Sequence, residues 1–358
     1  MKVNNLVRPE VLALKPYVPA KKVKNKIRLN ANESPYTVTE FAALNQLNLY
    51  PDARPDEIRN KIADYLNINE DCCVVTRGST EAIDLLIRTF CSPLEDEIII
   101  FPPTFEMYQF YAAIQGIKVV PVELMSDHQY AIDTELFQKT VSKKSKLIFI
   151  CSPSNPIGHT FDKETIYSIC QEVSNSGLVV LDGAYAEFSD LSVYQDILQD
   201  FDNVVILRTL SKAFGLAGSR CGLLIAQPEI CQFIMRVIPP YSFSKPAEKS
   251  VLDALSNKGI KRSQKNIEKT IQERTRLKDN LLRLDSVSEV FPSETNFLLV
   301  RVNNAAQFCN TAKDSGFLLR DMSYHPTLEN CVRITVGNSD QNEKLIEGLE
   351  HGLSLIHI

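Results

Sequence analysis

Thr209-Leu-Ser-Lys-Ala-Phe-Gly-Leu-Ala-Gly-Ser-Arg-Cys-Gly222 is the stretch on which the reading of this chain turns. It follows a short apolar, strand-like run, Val204-Val-Ile-Leu207, and sets Lys212 among two hydroxyls, Thr209 and Ser211, and one guanidinium, Arg220. A desolvated lysine amine forms a Schiff base with an aldehyde. Hydroxyls and a guanidinium bind a phosphate. The stretch therefore has the parts that hold a phosphorylated aldehyde. Taken alone, Lys212 reads as a solvated loop lysine; what lies upstream decides against that.

Thirty residues earlier, Leu178-Val-Val-Leu181 reads as a buried parallel strand and ends on Asp182, followed by Gly-Ala-Tyr185. An aspartate there can pair with a protonated pyridine nitrogen and keep the ring an electron sink; by itself it more often serves as a turn or cap residue. Lys146-Leu-Ile-Phe-Ile150 leads to Ser154-Asn155-Pro-Ile-Gly158, and Glu97-Ile-Ile-Ile-Phe101 leads to Phe105. Asn155 and Tyr185 can donate to a phenolic ring oxygen, and Phe105 can stack on a ring face, although lone aromatics more often serve the core. All four strand-like runs are followed by a residue with ring chemistry. In open α/β sheets ligands bind outside the carboxyl ends of the strands.

The phosphate end has a second half. Arg77-Gly-Ser-Thr-Glu81 follows strand-like Cys73-Val-Val-Thr76 and opens a helical run. A helix N-terminus offers free N–H groups and the positive end of the macrodipole. Gly78 permits the tight turn, and Ser79 and Thr80 supply amides. No Gly-x-Gly-x-x-Gly follows a strand, which argues against a dinucleotide fold.

The 358 residues allow one large and one small domain, and 44% hydrophobic content supports a sizeable core. A net charge of −5 advertises no nucleic-acid partner. No 18-residue apolar stretch or secretory signal is evident, so neither a membrane partner nor export is expected. Nine cysteines without a Cys-x-x-Cys pair read as free thiols in a reducing cytoplasm, and five scattered histidines suggest no metal site. Strands alternate with helices from about residue 70 to 230, the pattern of a mostly parallel sheet covered on both faces. A charged helical tract at 246–284 reads as a solvated face. Residues 285–358 read as a smaller α+β domain, closed by a helix that Asp340 and Glu343 open as a capping box. The expected division is an arm at 1–30 belonging to the small domain, a large domain at 31–284 and the small domain at 285–358.

Ser154-Asn-Pro-Ile-Gly158, Asp182-x-Ala-Tyr185 and Ser211-Lys-Ala-Phe-Gly-Leu-Ala-Gly-x-Arg220 together resemble the fold-type-I pyridoxal-phosphate aminotransferases. Arg28-Leu-Asn-Ala-Asn-Glu33, Leu49-Tyr-Pro-Asp52, Arg77 to Arg88, Leu319-Arg320-Asp and Val332-Arg-Ile-Thr-Val-Gly337 narrow the resemblance to the histidinol-phosphate aminotransferase subfamily. It covers about Lys15 to Gly337. The resemblance implies an α/β fold with a large domain and a smaller α+β domain. It implies pyridoxal 5′-phosphate as cofactor, held by Gly78, Ser79, Thr80, Phe105, Asn155, Asp182, Tyr185, Thr209, Ser211, Lys212 and Arg220, with Lys212, Asp182 and Tyr185 catalytic. Tyr50 looks like the family residue that reaches into the neighbouring subunit's site, which implies a homodimer. Tyr17, Asn32, Arg320 and Arg333 are the implied substrate ligands, for a phosphorylated amine in one half-reaction and glutamate or 2-oxoglutarate in the other.

Other functions stay open on the sequence: an aromatic or other amino-acid aminotransferase, a lyase on threonine phosphate, and a non-catalytic module that senses the cofactor. The chain also departs from the family at Gly183, where the common wording is Asp-Glu-Ala-Tyr; the glycine is expected to loosen the loop beside Asp182. Tyr241-Ser-Phe-Ser-Lys-Pro246 differs too, with Lys245 as a phosphate contact or a solvated lysine.

Overall fold

The computed structural model describes residues 3–15, 30–34, 36 and 47–354. The first part of the described chain holds α1 (Pro9–Ala13), α2 (Asp56–Leu66), β1 (Cys73–Thr76), α3 (Ser79–Phe90), β2 (Glu97–Ile100), α4 (Met107–Ile114) and β3 (Lys118–Pro121). Next come α5 (Thr134–Thr140), β4 (Ser145–Cys151), α6 (Lys163–Glu172), β5 (Leu178–Asp182), α7 (Ser192–Asp200), β6 (Val204–Thr209), β7 (Gly222–Ala226) and α8 (Pro228–Val237). Two further helices, α9 (Lys245–Ala254) and α10 (Asn257–Leu281), lead to β8 (Val287–Val290), β9 (Phe297–Val302), α11 (Ala305–Asp314), β10 (Arg320–Asp321), β11 (Cys331–Thr335) and α12 (Ser339–Ser354).

The first seven strands form one sheet in the order β1-β7-β6-β5-β4-β2-β3. From β3 to β6 the pairings are parallel, while β7 runs antiparallel to both β6 and β1. The central strands are apolar on both faces because both faces are covered, as parallel sheets require. Successive side chains point to opposite sides. Val179 and Leu181 enter one core cluster with Ile166 and Ile169 of α6, whereas Leu178 and Val180 enter another with Ile83, Leu86 and Ile230 of α3 and α8. The second sheet is wholly antiparallel, ordered β10-β11-β9-β8. Its core joins Leu298, Val300 and Val332 to Phe308 of α11, Leu349 of α12 and Leu277 and Leu281 at the end of α10.

Three local expectations change. Val3, Leu6, Val7 and Val11 pack into the cluster of α3 and α8, and Arg236 donates to Leu12 O at 3.1 Å. That stretch of the arm sits against the large sheet's helices rather than with the small domain. The charged tract divides into α9 and α10, with Ser256 Oγ accepting from Gly259 N at the new helix start. The last helix is opened two residues earlier than its acidic pair suggests. Asn338 and Gln341 cap each other reciprocally, at 2.9 and 3.0 Å, while Asp340 pairs with Lys344 and Glu343 with Arg276.

Candidate active site

Strands β2, β4, β5 and β6 run in the same direction, so their carboxyl ends share one edge of the sheet. Phe105, Asn155, Asp182 and Lys212, each carried just beyond one of those ends, line a single cavity of about 210 Å³. Ser79, Thr80, Tyr185, Thr209, Ser211 and Arg220 of the expected set also line it, Gly78 does not, and Cys151, Ala184 and Ala217 add to the wall.

At one end the N-terminus of α3 lies open. Gly78, at a φ of +82°, precedes Ser79, and no side chain caps the helix. Its first amides are thus left for an anion. A Cβ on Gly78 would lie 2.5 Å from Arg220 Nη2, and one on Gly222 would lie 2.4 Å from Ser79 N. Two glycines therefore bring the guanidinium and strand β7 against the helix start. Arg220 Nη1 donates to Ala217 O at 3.1 Å, and Thr209 Oγ1 lies 3.1 Å from Cys221 O and 3.0 Å from Ser211 Oγ. An open helix end, a guanidinium and the four hydroxyls of Ser79, Thr80, Thr209 and Ser211 fit a phosphate dianion.

At the other end Asp182 is 2% exposed. Its Oδ2 accepts from the Tyr108 hydroxyl at 2.8 Å, and its Oδ1 from Ala184 N at 3.1 Å. Burial raises the carboxyl to about 6; Tyr108, Ala184 N–H and the Lys212 charge work against that rise. Burial also lowers the Lys212 amine below the usual lysine range, helped by the positive charges of Arg333 and Arg220 and opposed by Asp182. Lys212 Nζ stands 5.6 Å from the centre of the Tyr185 ring, and Phe105 packs edge-on against Tyr108 at 5.7 Å. A buried acid, an amine held below the usual lysine range and an anion cradle together fit the ring, aldehyde and phosphate of pyridoxal phosphate.

The small sheet approaches this cavity through Arg333, whose Nη1 donates to Asn155 Oδ1 at 2.5 Å. Arg320 sits directly opposite Arg333 across the β10–β11 ladder, so the two side chains leave the same face. Arg320 is exposed, lies 6.0 Å from the Tyr324 ring and does not line the cavity. Tyr50 is 51% exposed, stacks obliquely on Tyr241 at 4.9 Å and does not line it either. Asn32 is exposed with a left-handed φ of 55° and is likewise absent from the wall. Tyr17 lies outside the described residues. Lys245 opens α9 and is not a wall residue.

Sequence reasoning missed Tyr108. It sits on α4 among apolar neighbours, and only the demand of a fully buried hydroxyl for a partner signals it. Gly183 also reads differently in three dimensions. A Cβ there would lie 2.8 Å from Tyr194 Cε1 and 3.2 Å from Arg208 Cδ. Tyr194 donates to Ser152 O, and Arg208 forms a buried pair with Glu187 at 2.8 Å. The glycine admits this layer against the end of β5; it marks close packing, not a loosened loop.

Fold and cavity together define a pyridoxal-phosphate-dependent transaminase. The chain belongs to the aminotransferase class I and II family, whose model matches residues 24–349. Among curated relatives, the histidinol-phosphate aminotransferase of Pectobacterium carotovorum subsp. carotovorum is 37% identical over 350 residues, 97% of each chain. That of Aeromonas salmonicida is 38% identical over 348 residues, again 97% of each. The histidinol-phosphate aminotransferase structure from Clostridium acetobutylicum superposes with a TM-score of 0.77 at 24% identity, over 86% of this chain and 92% of that one. The Sinorhizobium meliloti enzyme, solved with pyridoxal-5′-phosphate, gives 0.76 at 22% identity, over 86% and 83%. These two structures share the fold.

Proposed function

We propose that this chain interconverts histidinol phosphate and 2-oxoglutarate with imidazole acetol phosphate and glutamate. The observation that carries the reading is Arg333, tied to Asn155 at the cavity wall and placed opposite Arg320 on the same face of the small sheet. Arg333 beside the lowered amine, with Arg320 on the same sheet face further out, suits a reaction whose partners are anionic in both halves, a phosphate in one and carboxylates in the other. Full-length relatives at 35–38% identity that carry the histidinol-phosphate aminotransferase name add support.

Bound pyridoxal phosphate supplies an aldehyde that condenses with amines and a protonated ring that accepts electron density. In this reading Ser79, Thr80, Thr209, Ser211 and Arg220 hold its phosphate. Asp182 holds the ring proton, and Asn155 and Tyr185 hold the ring oxygen. Lys212 Nζ would anchor the cofactor at rest and, once free, would accept the proton from the substrate α-carbon as general base. Its lowered pKa serves that work, because only the neutral amine accepts a proton. Arg333 and Arg320 orient the substrate by its anionic group, with Tyr17 and Asn32 as further contacts.

Loss of Arg320 should raise KM for histidinol phosphate by about ten- to a hundredfold, and more than for glutamate; loss of Arg333 should impair both half-reactions by a similar factor. Steady-state rates across phosphorylated and unphosphorylated amines check both. Equal turnover of histidinol, or of an aromatic amino acid, would leave the phosphate without recognition energy and transfer the assignment to a general aminotransferase. Carbon dioxide release without consumption of 2-oxoglutarate would point to a lyase.

The reading includes a homodimer in which Tyr50 completes the partner's site, with a large domain at 31–284 and a small one at 285–358. Mixing Lys212→Ala with Tyr50→Phe chains should then create some sites with both residues intact. Recovery of activity on mixing, measured against each variant alone, is the expected result. An impaired Tyr50→Phe chain that gains nothing on mixing would confine Tyr50 to its own subunit. A cytoplasmic setting accords with nine cysteines that all carry free thiols. Among the described residues, no helix is long and apolar enough to cross a membrane, and no cluster of three metal-ligating side chains occurs.

A further inference from the structure

Helix α10 is polar along most of its length, yet one seam of it is covered. Ser263, Leu277 and Leu281 are buried, with Ile260, Ile267, Ile271 and Arg274 half-buried at the helical spacing between them. A hydroxyl in such a seam costs stability unless it is bonded. A serine inside a helix commonly bonds back to the carbonyl four residues earlier. Ser263 does otherwise: its Oγ donates to Ala213 O at 3.1 Å, fifty residues away and next to Lys212.

Most backbone bonds of the Lys212 loop stay within the loop. Gly215 N donates to Lys212 O at 3.1 Å, Leu216 N to Leu210 O at 3.0 Å and Leu210 N to Cys221 O at 3.0 Å. They set the loop's shape but not how it sits on the rest of the molecule. Leu210 in the core, Phe214 against Tyr65 and the Ser263 bond do that, and the Ser263 bond is the polar tie, joining the peptide after Lys212 to a 25-residue helix. Beside it, Ile267 and Ile271 pack against a cluster of Ala213, Ala184, Tyr185 and Phe188. One helix face thus seats both the lysine loop and the segment that follows Asp182.

We propose that Ser263 is a positioning residue for Lys212, aiming its amine by fixing the carbonyl of Ala213. The inference rests on the reading that Lys212 carries the cofactor. A misplacement of roughly 1 Å costs on the order of a hundredfold in rate, so a bond that restrains the loop by a fraction of that is worth about tenfold.

The test compares Ser263→Ala and Ser263→Cys with Ser263→Thr, which keeps the hydroxyl, and with Ile267→Val, a packing change in the same seam. In the cofactor-free protein, the pH dependence of Lys212 acylation is followed by peptide mass. In the loaded protein, borohydride labelling identifies the cofactor lysine, and kcat and KM for glutamate are measured. Ser263→Ala should move the acylation midpoint upward by about half a pH unit as the amine leaves its desolvated place. It should lower kcat about tenfold with KM little changed. Ser263→Cys, a weak donor, should change in the same direction; Ser263→Thr and Ile267→Val should stay near wild type. Unchanged acylation and kcat in Ser263→Ala, with the label still on Lys212, would overturn the inference. Equal losses in Ser263→Ala and Ile267→Val would overturn it as well, by reducing the effect to packing. A wild-type label on another lysine would remove the reading of Lys212 and this inference with it.

Discussion

Lys212→Ala is expected to lower transamination by at least about ten-thousandfold, the full range of a lost general base together with the lost covalent anchor. The reason lies in where the amine sits. It stands at the end of β6, in the cavity wall shared with Asp182 and Arg220, and it is held below the ordinary lysine range first by burial and then by the charges of Arg333 and Arg220. A neutral amine at that point can both condense with an aldehyde and accept a proton from carbon. Lys212→Arg should be nearly as damaging, since a guanidinium stays charged and does neither. The wild-type protein should be yellow with cofactor, and borohydride should fix the colour to the peptide containing Lys212. A label on a different lysine, or residual turnover of even a few per cent in Lys212→Ala, would remove Lys212 from the chemistry.

Much of this cavity is legible in the sequence because the sheet is parallel and doubly covered. Such strands read as unbroken apolar runs, and the residues just beyond their ends converge on one edge. Glu97–Ile100, Ser145–Cys151, Leu178–Asp182 and Val204–Thr209 all follow that rule, and so the positions of Phe105, Asn155, Asp182 and Lys212 follow from reading where each run stops. Lys118–Pro121 does not follow it. It is an edge strand with exposed and half-buried positions, too short and mixed to stand out. Nor does β10, two exposed residues that exist as a strand only through pairing with β11.

What the sequence hides are the groups that act through another residue. Tyr108 meets Asp182 from 74 positions away and from inside an apolar helix, where nothing local marks it as polar in purpose. Ser263 lies in a tract whose charges announce a solvated face, and its covered seam emerges only when α10 is laid against the lysine loop. Gly183 looks like a missing acid until Tyr194 and Arg208 are seen to need its space. Pattern reading finds side chains that face a ligand from strand ends. It does not find the contacts that tertiary packing creates between distant elements.

Asp182→Asn should cost at least about a hundredfold in turnover, the usual penalty for removing one charged partner that counts most in the transition state, while cofactor affinity falls less. The pH behaviour gives a second and independent check. Burial raises the Asp182 carboxyl from its ordinary 3.8 to about 6, against the pull of Tyr108, Ala184 N–H and Lys212. Between those two values the folded, cofactor-free protein holds a proton that the unfolded chain has released. Stability then falls as pH rises through that window. At about 1.4 kcal/mol for each pH unit, the loss amounts to roughly 2–3 kcal/mol, and Asp182→Asn, which has no proton to hold, lacks that component. Cofactor runs the other way, because a protonated ring nitrogen pairs with the carboxylate and not with the acid. Wild-type affinity should therefore strengthen as pH rises through about 6, and the asparagine variant should show no such rise. Denaturation of the cofactor-free protein between pH 4 and 7, paired with cofactor titrations over the same range, measures both slopes. The same slopes in the variant, or turnover near that of wild type, would mean that Asp182 does not hold the ring proton.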